Sequence, residues 1–145
     1  MAKNLVLALP LLLLAGCWSL GRDVSTTTPS ADDVRRCQVD MYIEPGITIQ
    51  PLGFMLTSGI DDAIWFKFIA KTDNIANVFD QKTVDTTKFK PKFTLDSNAL
   101  PPWWDVSAKP LTGGQVALPN ARFMNVGYSG NDDGSLTVYI MWHET

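Results

Sequence analysis

The chain has one histidine, two cysteines and no surplus of positive charge, and each shortage removes a class of function. A lone histidine, His143, rules out a multi-histidine metal site and leaves one side chain suited to general base work near neutral pH. With 12 Lys and Arg against 15 Asp and Glu, net −3, the chain lacks the concentrated basic surface that phosphate neutralisation needs, so nucleic acid is not expected as a partner. No apolar run reaches the ~20 residues that span a bilayer as a helix. A Gly-x-Ser-x-Gly nucleophile context, a phosphate loop and an internal repeat are also missing, since Gly113-Gly114 stands alone before QVALPN. Nothing in the composition asks for a cofactor or a metal.

What is present begins at the N-terminus. One cation, Lys3, precedes an apolar stretch from Leu5 to Ala15 that is interrupted only by Pro10, which fits the short core of a secretory signal. The stretch ends in Leu14-Ala15-Gly16-Cys17, small residues set directly before a cysteine. This resembles the lipobox of bacterial lipoproteins. The resemblance implies diacylation of the Cys17 thiol, cleavage before Cys17 and acylation of the new amino group. Several acyl chains anchor firmly where one binds only marginally. In that family Asp after the cysteine retains a protein in the inner membrane; Trp18 stands there instead, so the outer membrane, facing the periplasm, is the favoured location.

Residues 1–16 are thus read as a signal peptide and 17–36 as a lipidated tether, because WSLGRDVSTTTPSADDVRR is polar and shows no sustained apolar period. Residues 37–145 are read as a single domain, mainly β, a small antiparallel sheet or sandwich with at most one or two short helices. With Cys17 committed to lipid, Cys37 has no intramolecular partner and is read as a buried residue. QVDMYI (38–43) and ITIQPLGFML (47–56) read as strands around the Pro45-Gly46 turn. DDAIWFKFIA (61–70) is apolar on both faces and reads as an interior strand. Asp73 is expected to cap a short helix over NIANVFD (74–80). KFKPKF (88–93) reads as an edge strand because of Pro91. Residues 122–128 and 136–142 flank SGNDDG and read as a hairpin turning at Asp133-Gly134.

The most unusual interior stretch is ALPPWWDVS, 99–107. Neighbouring side chains diverge on an extended backbone, so one of Trp103 and Trp104 is expected to face solvent, with Asp105 beside it. An exposed Trp on a proline-stiffened segment suits a protein partner, offering large contact area at small ordering cost; it also suits stacking on a cell-wall sugar. The acidic pairs are weaker leads. Asp61-Asp62 sits on a predicted strand, where neighbours point to opposite faces, and Asp132-Asp133 falls in a turn, where NDDGS lacks the ligand spacing of a calcium loop.

These features lead to an expected function: a lipid-anchored, non-catalytic binding or inhibitory protein of the cell envelope, of immunity type or an accessory of an envelope machine, with an envelope protein as partner and its oligomeric state open. The alternatives are a glycan-binding module using Trp103 or Trp104, and an envelope hydrolase using His143 with Asp105 or Glu144. IWFKF, PPWWDVS and LTVYIMWHE give the domain a general likeness to small lipoproteins of Gram-negative bacteria. That likeness implies no activity.

Overall fold

The computed structural model describes residues 23–145. The signal sequence, Cys17 and Trp18 lie outside the described residues. Seven strands form one antiparallel sheet: β1 (Val24–Thr26), β2 (Ile49–Thr57), β3 (Ala63–Ala70), β4 (Lys90–Phe93), β5 (Leu111–Leu118), β6 (Arg122–Gly130) and β7 (Leu136–Glu144). The spatial order is β1-β2-β3-β7-β6-β5-β4. Two meanders, β1 to β3 and β4 to β7, therefore meet at the β3–β7 pair. The connection between them carries the chain to the far edge, from which β4 to β7 fold back.

Alternation decides the faces. On β3, Ile64, Phe66, Phe68 and Ala70 are buried together with Leu136, Val138, Ile140 and Trp142 of β7 and Met124 and Val126 of β6. This first face is covered by one helix, α1 (Ala31–Asp40), through Cys37 and Met41, and by the 71–89 connection through Ile75, Val78, Phe79 and Val84. The opposite face, with Trp65 on β3 and Tyr139 and Met141 on β7, is covered by the 94–110 loop through Leu95, Leu100, Trp103, Trp104 and Val106. β3 and β7 are interior strands because both their faces carry apolar side chains.

Several expectations from the sequence hold. The hairpin of β6 and β7 forms, and its turn closes with the Gly134 N–H donating to Asn131 O at 3.1 Å and Gly134 at φ +80°, a left-handed conformation that favours glycine. β4 lies at the sheet edge, where Pro91 needs no ladder partner for its missing N–H.

Others need correction. The segment read as a tether is folded from Val24 onwards: β1 pairs with β2 through Val24–Leu56, Ser25–Met55 and Thr26–Phe54, and α1 starts at Ala31. The domain therefore begins ahead of Cys37. α1 carries a capping box, with Ser30 Oγ accepting from the Asp33 N–H at 3.1 Å and Asp33 Oδ2 accepting from the Ser30 N–H at 3.0 Å, which satisfies two donors the helix end leaves free. Gln38–Ile43 is not a strand. It is the last turn of α1, the Met41 cap and a left-handed Tyr42 at φ 55°, and only Ile43 forms an isolated bridge, to Phe79. Burial of Val34, Cys37 and Met41 on one helix face outweighs the local β preference. The helix expected at 74–80 shrinks to a 3₁₀ turn, Ile75–Asn77, capped by Asn74 rather than Asp73.

Because α1 is cover for the first face, Ser30→Ala is expected to lower stability by about 1 kcal/mol in a urea melt. A chain starting at Cys37, which lacks β1 and most of α1, is expected to lose the cooperative transition altogether. A cooperative melt of that shortened chain would show that α1 is dispensable.

Candidate functional site

The Trp pair sits in the loop that roofs the second face, and the structure separates the two rings. Trp104 is 3 % exposed. Its Nε1 donates to Asp96 O at 2.9 Å, and its ring meets Tyr139 edge to face at 5.5 Å and Trp103 at 6.0 Å. A ring of this size buries about 150–250 Å², so swinging it out to a partner would cost about 4–6 kcal/mol. The reading of Trp104 as a docking anchor is therefore corrected: it is a core residue. The second proline, Pro102, is exposed, while Pro101 accepts from the Trp104 N–H at 2.9 Å and fixes the turn that drives the ring inward.

Trp103 is half-buried. Its indole N–H donates to Ser25 Oγ of β1 at 3.3 Å, and its six-membered ring occupies the space above Gly53. A Cβ at that position would stand within 2.2–2.7 Å of three ring atoms. Gly53 follows the register shift of β2, so the missing side chain and the bulge together make the seat for Trp103. Neither contact is visible locally in PPWW.

Asp105, itself exposed, closes a polar clasp over the sheet. Its Oδ1 accepts from Lys67 Nζ at 2.7 Å and from the Tyr139 hydroxyl at 2.8 Å, and Lys67 and Tyr139 are register partners on β3 and β7. The loop is thereby tied to the two central strands. Burial works to raise the Asp105 carboxyl, but the hydrogen bonds from Lys67 and Tyr139 and the Lys67 charge outweigh it and hold the group below its ordinary value. Burial and the same carboxylate push the Tyr139 hydroxyl up. A shallow depression of about 150 Å³ opens beside the clasp, lined in part by Leu52, Lys109, Ser129 and Thr137. Asp105 thus serves the fold through one oxygen, a role the sequence does not indicate.

His143 lies on β7 at the other end of this face. Its ring stacks on Phe123 at 5.8 Å, and its buried Nδ1 has no hydrogen-bond partner among the described residues. Tyr139, which holds Asp105, is four residues away on the same strand, about 13 Å. Glu144 is the next residue along the strand and points to the opposite face. Neither acid proposed for a hydrolase is placed to orient His143. Of the acidic pairs, Asp62 binds Arg36 at 2.8 Å, and Asp133 accepts from the Ser135 N–H and hydroxyl inside the turn, bonds that keep its carboxyl below the ordinary range. No group of three or more potential metal-binding side chains occurs among the described residues. Cys37 is free and buried, and burial pushes its thiol up.

The loop does not bury the second face completely. Met55, Trp65 and Met141 stand side by side across β2, β3 and β7, followed toward the strand ends by Phe123 beside His143; all are partly buried, Trp65 and Met141 pack against the loop cluster, and the Trp65 indole N–H is buried with no partner among the described residues. This row was not anticipated, although the odd-numbered apolar positions of IWFKF and LTVYIMWHE carry its signal. No protein-family model matches the chain, and no curated protein or solved structure matches it. Among the described residues no helix is long and apolar enough to cross a membrane.

Two outcomes follow. Gly53→Ala is expected to displace Trp103 and cost about 1–3 kcal/mol, read as a shift in Trp emission together with a lower melting temperature; unchanged emission would mean the ring is not seated there. Because the Asp105 carboxyl titrates lower in the folded chain than its unfolded value of about 3.9, its contribution is present above that pH and is lost as pH falls through the folded value. Asp105→Asn is therefore expected to flatten the loss of stability between about pH 5 and pH 3, and Asp105→Ala, which leaves the Lys67 ammonium unpaired, to cost about 1–3 kcal/mol at neutral pH.

Proposed function

We propose that the chain is an envelope lipoprotein, acylated at Cys17, whose domain is a non-catalytic binding or inhibitory module for an envelope protein. The observation that carries the anchor is Leu14-Ala15-Gly16-Cys17 behind a short apolar core. The contact surface we assign is the partly buried row Met55, Trp65 and Met141, bordered by Trp103, in place of Trp104. Flat faces with aromatic and methionine side chains suit a protein partner, since these residue types are enriched at interfaces. An immunity-type role and an accessory role in an envelope machine use the same surface and the same placement. The outer membrane, facing the periplasm, is the location that Trp18 supports.

The competing glycan reading now rests on Trp103 alone, with one side of its ring committed to Gly53. A hydrolase would need His143 to act without an orienting acid, and we do not favour it.

Two measurements check the proposal. Cys17→Ala is expected to abolish incorporation of a palmitate analogue and to release the protein from membranes; label retained by the variant, or absent from the wild type, would refute the anchor. A photo-crosslinking residue at Met55 is expected to capture one envelope protein in intact cells, with none captured from Lys90 on the opposite edge. Equal capture from both positions, or loss of capture on adding cell-wall fragments, would refute the assigned surface or favour the glycan.

A further inference from the structure

Resting on acylation of Cys17, we infer that the end of the sheet bearing Ile60 faces the bilayer, and that Ile60 meets the lipid surface in which the chain is anchored. The fold begins close to the anchor. Cys17 precedes Asp23 by six positions, and six residues span at most about 20 Å when fully extended. That spacing keeps the first described residue within about 20 Å of an acylated Cys17.

The strand register says which end that is. Val24 pairs with Leu56, and Asp23 Oδ1 accepts from the Ser58 N–H at 3.3 Å, so the chain enters the fold beside the β2–β3 connection. The start of β3 and the end of β7 lie at the same end, since Ala63 pairs with His143. The β6–β7 turn at 131–135 lies at the opposite end, beyond the Gly130–Leu136 pair.

At the tip of the β2–β3 connection stands Ile60, fully exposed and the most exposed of the large hydrophobic residues described. The connection is held at its base: Asp62 accepts from Arg36 of α1 at 2.8 Å, and its carbonyl accepts from the Glu144 N–H at 3.2 Å. Ile60 is therefore presented by a braced turn. Asp23, Asp61 and Glu144 flank this end together with Arg36 and Arg122, which are paired with Asp62 and Asp40, so no unpaired basic cluster among the described residues draws anionic headgroups to the contact. It is an apolar contact that depends on the anchor and orients the domain, and it leaves the row of Met55, Trp65 and Met141 facing sideways, open to a partner near the membrane.

The test uses the full-length acylated protein in phosphatidylcholine vesicles carrying a nitroxide quencher in the acyl chains. A fluorophore is attached to Ile60→Cys or to Asp132→Cys; buried Cys37 does not compete for the label. With the labels about 25–30 Å apart along the strands, quenching at position 60 is expected to exceed that at position 132 by about threefold. Acylated protein quenched equally at both positions, or more strongly at 132, overturns the orientation and leaves the lipoprotein reading intact. Protein that mass spectrometry shows to carry no acyl chains overturns both.

Discussion

Everything in this structure depends on one constraint: β3 and β7, the central pair of the sheet, carry large apolar side chains on both faces. A sheet of this kind must be covered twice. Phe66, Phe68, Ile140 and Trp142 are covered by α1 and the 71–89 connection, while Trp65, Tyr139 and Met141 are met by the 94–110 loop. The loop has only a few turn hydrogen bonds of its own, such as Trp104 N–H to Pro101 O and Ala108 N–H to Asp105 O, and no ladder to the sheet with which to hold a face closed. Here it is held by two aromatic rings and one carboxylate: Trp104 inside, Trp103 on Gly53, and Asp105 clasped by Lys67 and Tyr139.

The residues that look most functional in the sequence are thus mostly structural. The roof closes incompletely, and the row from Met55 to Met141, packed against it, keeps part of its surface. The apolar surface available to another molecule is therefore set by the reach of the loop rather than by the Trp pair itself. The folding of residues 24–36 adds the second functional consequence, because an acyl chain on Cys17 would hold such a domain close, with a defined end toward the lipid.

How much of this was legible depended on whether the deciding contacts were local. The strands at 63–70 and 136–144 announce themselves by their two-faced or alternating apolar pattern, those at 49–57 and 122–130 by the turns beside them, and the edge strand by Pro91. β5 was hidden because Gly113-Gly114 interrupts its apolar pattern; there Gly113 is required by the close approach of Val126 O. β1 and α1 were hidden in a polar stretch whose one telling signal is the Ser30-x-x-Asp33 box, with Val34, Cys37 and Met41 at helical spacing behind it. The fate of Trp103 and Trp104 could not be read locally at all, since it is decided by Gly53, Ser25 and Tyr139, which are far away in sequence. The same holds for Asp105, whose partners come from the two central strands.

The most direct test is hydrogen exchange of the indole N–H protons, resolved by nuclear magnetic resonance and assigned with single Trp→Phe variants. If the loop is a true roof, the Trp104 indole proton, which donates to Asp96 O, exchanges only through global unfolding, at a rate that tracks the stability of the sheet, while that of Trp103 exchanges faster. A Trp104 indole that exchanges as rapidly as free indole under native conditions would mean that the roof opens on its own. The second face would then be a site rather than a core, and the sheet would stand without its second cover.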